Sequence, residues 1–122
     1  MSLAKLGVYA DLKRSLNLKW DPPNGKPINV GYIMRNGRLW TDAGHWFVPD
    51  QELSKAYIEA LAQTFDGHVY QSGKHQIVAK DSHAPRIETL MDDFDGWYEA
   101  IEKFIMSVRE YLEEEAAGEE QD

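Results

Sequence analysis

Apolar residues in the first part of the chain recur every three or four positions, which is the spacing of one face of an α-helix. The residues that keep this spacing are Leu3, Leu6, Tyr9, Leu12 and Leu16. They predict a first amphipathic helix over residues 3–16. The next segment, residues 17–27, contains three prolines and an Asn-Gly pair, and proline lacks the amide hydrogen that a helix or a central strand uses. We expect that segment to be a loop.

An Asn-Gly pair between β-prone residues gives the clearest local signal in the chain. Residues 28–42 read INVGYIMRNGRLWTD, and Asn36-Gly37 suits a tight two-residue type I′ turn. Counting outward from that turn pairs Met34 with Leu39, Ile33 with Trp40 and Tyr32 with Thr41. We therefore expect a β-hairpin with two partly apolar faces, followed by a short third strand at residues 45–49.

A second helical pattern follows Asp50, a residue type that commonly caps the first turn of a helix. The apolar positions from Leu53 to Phe65 keep helical spacing, and Gly67 stands where a left-handed C-terminal cap is expected. Beyond Pro85 a longer stretch, residues 86–112, stays in one helical phase. A single helix of that length would run about 40 Å, so we expect a break near Asp95-Gly96 or packing of the excess length on another subunit.

These elements predict an α+β fold in the order α-β-β-(β)-α-β-β-α. We expect an antiparallel sheet of about five strands, with helices on one side and a long C-terminal helix. At 122 residues the chain suits one domain. That domain is expected to cover residues 1–112, and residues 113–122 are expected to form an acidic, frayed tail.

Composition removes several classes of function. The chain has 43% hydrophobic and 28% charged residues, as ordinary globular proteins have. It contains no cysteine, which excludes disulfides, thiolate catalysis and Cys-ligated zinc and favours a reducing compartment such as the cytoplasm. No apolar stretch approaches the roughly 18–20 residues that span a bilayer, and the first residues lack the pattern of a signal peptide. We expect no membrane partner.

Charge is distributed very unevenly along the chain, whose net charge is −8. Residues 1–80 carry ten Lys or Arg and seven Asp or Glu, whereas residues 81–122 carry three and fourteen. Six of those acids lie in residues 113–122. Because nucleic acid is a polyanion, this balance disfavours a nucleic-acid partner.

Histidines and short polar runs are the candidates for catalytic or metal chemistry. A second hairpin is predicted over residues 68–80 with its turn at Ser72-Gly73, which would pair Tyr70 with His75 and place His68 diagonally across from His75. That diagonal is long for a shared ion, and no carboxylate completes a ligand set. The run Asp81-Ser82-His83 is not a hydrolytic triad, because consecutive side chains point in different directions. With no glycine-rich phosphate loop either, we assign no catalytic residue, no metal and no cofactor.

A small-molecule site, if present, is expected where the first hairpin leads into the third strand. Asp42-Ala43-Gly44 is expected to form a turn or bulge there, and bulges re-aim side chains beside binding sites. The candidate ligand-binding residues are Tyr32, Asp42, His45 and Trp46.

The leading functional hypothesis is a small acidic, non-enzymatic protein-interaction module that self-associates as a homodimer through its last helix. Its candidate partner contacts are Glu99, Glu102, Ile105 and Leu112. In element order and acidity the chain resembles the small dimeric secretion chaperones of bacteria. That likeness covers no motif, so it implies a bacterial, protein-binding dimer and no particular site residue.

Two alternatives stay open. One is an enzyme or small-molecule-binding protein with a pocket at residues 40–46. The other is an acidic inhibitor or immunity-type protein that covers the basic active site of a nuclease. In that second alternative, acids on the helix body should contribute more than the tail, and these are Glu88, Asp92, Asp93, Glu99 and Glu102.

Overall fold

A computed structural model describes residues 2–12, 14–23, 25–41, 51–64, 67–71, 75–78 and 83–120. Four strands form an antiparallel sheet in chain order: β1 (Tyr9–Leu12), β2 (Leu16–Trp20), β3 (Ile28–Ile33) and β4 (Leu39–Trp40). The other elements are α1 (Gln51–Thr64), the hairpin strands β5 (His68–Gln71) and β6 (His75–Val78), α2 (Ile87–Asp92) and α3 (Phe94–Glu120). The predicted α+β class is confirmed, with an antiparallel sheet and a long C-terminal helix. In the described parts of the chain, no helix has an apolar stretch long enough to cross a bilayer.

The predicted helix over residues 3–16 is wrong. Only a 3₁₀ turn forms at Leu3–Leu6, and it ends at Gly7, whose φ of 85° is left-handed. The chain then enters β1 and turns back into β2, where Leu16, Leu18 and Trp20 alternate with polar residues in the period of a strand. The predicted loop over residues 17–27 is also wrong in its first four residues, because these belong to β2. The likeness to secretion chaperones depended on a chain that begins with a helix, and the observed order begins with strands.

The register of the first hairpin differs from the prediction by one residue. Ile33 pairs with Leu39 and Tyr32 with Trp40. Gly37 has a φ of 79°, its N–H donates to Met34 O over 2.9 Å, and Met34 N–H donates to Arg38 O over 3.0 Å. This is a three-residue loop that ends in a left-handed glycine, whereas the prediction assumed a two-residue turn. The second hairpin shows the same shift, because Gln71 pairs with His75 and His68 with Val78.

One hydrophobic core joins the first sheet to α1 and α3. The sheet contributes Leu18, Trp20, Ile28, Val30 and Leu39, α1 contributes Tyr57, Ile58 and Leu61, and α3 contributes Trp97, Ile101, Phe104, Ile105 and Val108. The apolar face of α3 is therefore buried inside one copy of the chain as far as Val108. That face was the basis for predicting self-association through the last helix, and it does not supply an exposed apolar stripe.

The long helical segment breaks at Asp93, two residues before the predicted position. Asp93 has φ −125° and ψ 58°, and its Oδ1 accepts from Gly96 N–H over 3.4 Å at the start of α3. From there α3 continues for 27 residues, or about 40 Å. Gly96 lies in the first turn of α3, close to Thr64 at the end of α1. A Cβ atom at position 96 would be only 2.5 Å from Thr64 Cγ2.

This close approach gives a test of the α1–α3 packing. We expect Gly96→Ala to be destabilising, because overpacking of this kind costs about 1–3 kcal/mol and the better helix propensity of alanine returns only about 1 kcal/mol. Thr64 cannot rotate away without losing the bond from its Oγ1 to Ala60 O. In a Thr64→Ser background, which lacks Cγ2, the same alanine should cost less, and the close contact that remains is with Asp93 Oδ2, 2.8 Å from the Cβ position. Urea unfolding of the four proteins measures both effects, and a stabilising Gly96→Ala on its own would contradict the packing described.

Candidate functional site

One end of the first sheet carries a shallow concavity of about 370 Å³. Its lining comes from the turn between β1 and β2 and from the turn between β3 and β4, and consists of Leu12, Arg14, Ser15, Leu16, Ile33, Met34 and Arg35. We call this set the sheet-end surface. Leu12 is 76% exposed and Met34 is 40% exposed, and both arginines are exposed beside them. The surface therefore combines apolar and cationic side chains, a mixture enriched in protein-protein interfaces.

A network of asparagine amides holds the first of the two turns. Asn17 Nδ2 donates to Asp11 O over 3.2 Å and to Ser15 O over 3.1 Å, so the amide spans the base of the turn. Asn17 Oδ1 accepts from Asn29 Nδ2 over 3.0 Å, and Asn29 Oδ1 accepts from Gly31 N–H over 2.8 Å. Asn29 is buried, so these bonds satisfy polar groups that have lost water. They also accompany the bulge at Leu18 and Lys19, where the β2–β3 register shifts.

The second turn is held from outside by the segment that leads into α2. Arg38 Nη1 donates to Ala84 O over 2.6 Å, and Leu39 N–H donates to Pro85 O over 2.8 Å. Ile87 N–H in turn donates to Gly37 O over 2.8 Å. Both turns are thus fixed by hydrogen bonds in which no side chain of the sheet-end surface takes part.

A second, smaller concavity of about 240 Å³ lies between α1 and α3. It is lined by Ala60, Gln63, Thr64, Gly96, Glu99, Ala100 and Lys103. Its depth follows from the close approach of the two helices at small residues, so packing alone explains it. We assign no ligand to it.

Only one of the four predicted ligand-binding residues lies in the described part of the chain, so that site stays a prediction. Tyr32 is half-buried in β3, opposite Trp40. Asp42, His45 and Trp46 lie outside the described residues, as do Asp50 and the predicted third strand. In the parts that are described, no three His, Asp or Glu side chains are placed to hold a metal ion.

The predicted partner-binding residues of α3 divide into two groups. Glu99 and Glu102 are exposed, whereas Ile105 is 3% exposed and belongs to the core. Leu112 is half-buried and packs against the edge of that core. The acids at positions 88, 92 and 93 are exposed as well, so the surface that the inhibitor hypothesis requires is accessible. That hypothesis stays a prediction.

Tyr57 is the buried titratable group of the core. Its hydroxyl donates to Val30 O over 2.7 Å, which connects α1 directly to β3. Burial raises the pKa of Tyr57 well above its ordinary 10.0, and the Trp97 indole lowers it by a smaller amount. Among the described residues, Trp97 Nε1 is buried without a partner in hydrogen-bond geometry. A neutral tyrosine that is hydrogen-bonded to a backbone carbonyl stabilises the fold, so we assign Tyr57 no catalytic role.

Sequence reasoning missed the residues of the sheet-end surface, although a signal for them exists. Turns usually carry small polar residues, yet here an arginine stands between or beside large apolar residues in Leu12-Lys13-Arg14-Ser15-Leu16 and in Ile33-Met34-Arg35. The first of these stretches was assigned to a helix, where the same residues would be spread around the surface.

Comparison of the chain with protein-family models, with curated proteins and with solved structures finds no match.

Proposed function

We propose that this protein is a small, non-enzymatic protein-interaction module that binds its partner through the sheet-end surface. The observation that carries the proposal is the exposure of Leu12 and Met34 around a concavity flanked by Arg14 and Arg35. Exposing an apolar side chain forgoes about 25 cal/mol for each Å² that burial would remove from water. A partner that covers these side chains would recover that free energy.

The residue types support a protein partner. Arginine and methionine are enriched at interfaces, because guanidinium groups form paired hydrogen bonds with carboxylates and methionine adapts its shape to an apolar neighbour. The concavity is open and shallow, which suits side chains of a protein surface better than an enclosed metabolite. A homodimer and a cytoplasmic location remain part of this proposal, the latter because the chain has no cysteine.

Photo-crosslinking in cells that express the protein tests this proposal. A benzophenone amino acid at Leu12 is expected to give a specific covalent adduct with a protein, whereas the same probe at Glu59, exposed on α1, is the matched control. The adduct should disappear when Arg14→Glu and Arg35→Glu are added to the Leu12 probe. All these positions are exposed, so the melting temperature should not change and loss of the adduct would report binding.

The proposal fails if the two probes give the same adducts, or if position 12 gives none. An adduct that survives both charge reversals would remove the arginines from the site. It would leave only the apolar side chains as contacts.

A further inference from the structure

The last turns of α3 form a second exposed surface, opposite in charge to the sheet-end surface. Among the residues of the helix whose burial is described, Val108 is the last buried one, and residues 113–117 are all exposed. We call residues 113–117 the α3 extension. It contains three consecutive glutamates, Glu113, Glu114 and Glu115.

The charges of the extension are unfavourable where they stand. The C-terminal end of a helix carries a partial negative charge that favours cations, and the last turn of α3 contains no basic residue. Glutamates at this end repel both the helix dipole and one another. A cationic surface placed against the extension would relieve that repulsion. The charges of the extension alone therefore favour a basic binding partner.

The extension cannot reach the sheet-end surface of its own chain. The guanidinium of Arg109 lies 5.7 Å from the centroid of the Trp20 ring, and Trp20 is at the end of β2 away from the β1–β2 turn. That places Arg109 about 13 Å along the sheet from Leu16. Helix α3 follows α2, and the first residue of α2, Ile87, is hydrogen-bonded to Gly37 at the sheet end. Because α3 later reaches Trp20 at the other end of β2, it runs away from the sheet end. From Arg109 to Glu120 the helix continues for about 16 Å more.

Two complementary surfaces at opposite ends of one molecule can be satisfied by a second copy. We propose that the α3 extension of one copy docks on the sheet-end surface of another, and that two such contacts form a reciprocal two-fold dimer. Successive residues of a helix are rotated by about 100°, so Glu113 and Glu114 flank Ala117 on one face, whereas Glu115 lies on the opposite face. On that face Glu113 and Glu114 pair with Arg14 and Arg35 of the other copy, and Ala117 contacts its exposed apolar residues. A two-fold arrangement makes both contacts at once and closes the assembly. The inference rests on the proposed function, because it uses the same surface.

The net charge of −8 on each copy does not prevent this contact. At physiological ionic strength the Debye length is about 8 Å. Repulsion between acids that are far apart across the dimer is therefore largely screened, whereas charges in direct contact are screened less. The dimer is expected to dissociate as salt is raised to about 1 M, where the Debye length falls to about 3 Å.

Analytical ultracentrifugation of the purified full chain at physiological ionic strength tests the inference by charge exchange. The wild type is expected to dimerise. The variant with Arg14→Glu and Arg35→Glu, and the variant with Glu113→Lys and Glu114→Lys, should each show a dissociation constant raised about tenfold or more. An equal mixture of the two variants should dimerise again, because in the mixed dimer one contact is native and the other has both charges exchanged.

The control changes charge elsewhere on the same helix. Glu99→Lys with Glu102→Lys alters two exposed acids of α3 outside the extension and should leave the dimer unchanged. Loss of the dimer in this control, or no recovery in the mixture, would overturn the inference.

A wild type that is monomeric up to millimolar concentration would also overturn it. If the Leu12 probe then still captures another protein in cells, the sheet-end surface remains the proposed protein-binding site and only self-association is excluded. If the probe captures nothing, both fail.

Discussion

Replacing Ile105 with alanine is expected to lower the free energy of unfolding by about 2–5 kcal/mol. Ile105 is 3% exposed and belongs to the cluster that α3 forms with α1 and the sheet. Removing three buried carbons forfeits their transfer free energy and leaves a cavity, because the surrounding helices relax only in part. Chemical denaturation followed by circular dichroism measures the change.

The next residue provides the control. Met106 is 55% exposed on the same turn of α3, so Met106→Ala should change the free energy of unfolding by less than about 0.5 kcal/mol. If Ile105→Ala were as mild as Met106→Ala and instead weakened self-association, the residue would be a partner contact, as its position in the sequence first suggested. A large loss of stability with Ile105→Ala places it in the core.

Replacing Tyr57 with phenylalanine is expected to cost about 1–3 kcal/mol, because the buried Val30 carbonyl loses the hydroxyl that donates to it over 2.7 Å. Tyr9 is the matched control. Its hydroxyl donates to Asp21 Oδ1 over 2.6 Å, but Tyr9 is 40% exposed and water can replace the bond. Tyr9→Phe should therefore have a much smaller effect. Equal losses in the two variants would contradict the burial described for Tyr57.

The pH dependence of stability gives a further test at Tyr57. Because burial raises the pKa of Tyr57 above 10.0, the unfolded chain releases this proton at lower pH than the folded protein does. The contribution of Tyr57 is complete below pH 10 and is lost as the pH rises above it. We expect the stability of Tyr57→Phe to fall less steeply than that of the wild type above pH 10. Unfolding curves of the wild type and of Tyr57→Phe, measured in a series of alkaline buffers, would show this difference.

Long periodic segments were predicted well from the sequence. Helix α1 covers Gln51–Thr64 against a predicted apolar pattern from Leu53 to Phe65, and the pattern of residues 86–112 is helical apart from the break at Asp93. In both segments many apolar residues follow the same helical spacing, so one residue that departs from it does not change the predicted helix. Strands β1 and β2 of the first sheet were missed because they have only four and five residues, too few for a period of two to stand out. The leucines of that region also happen to fit a helical spacing.

The candidate site could not be predicted for a related reason. Leu12 and Met34 are far apart in the sequence and meet only because β2 pairs with β1 on one side and with β3 on the other. The pair Leu12 with Leu16 depends on the short turn between β1 and β2, and the pair Leu16 with Ile33 depends on the connection through residues 21–27. The Asn-Gly pair of that connection stands among three prolines, which favoured a loop over a hairpin. The helical spacing of residues 3–16 had placed the first turn inside a predicted helix. The exposure of Leu12 and Arg14 in that turn could be seen only in the folded structure.

The hydrogen bonds of Asn17 separate the binding side chains from the groups that hold the turn in shape. Its amide fixes the first turn through main-chain carbonyls and through Asn29, and the second turn is fixed mainly by main-chain bonds to residues 84–87. Substitutions at Leu12, Arg14, Met34 or Arg35 leave those bonds in place. Selection, or an engineer, could therefore change which partner this protein recognises while the fold stays the same, whereas Asn17 and Asn29 would have to change together.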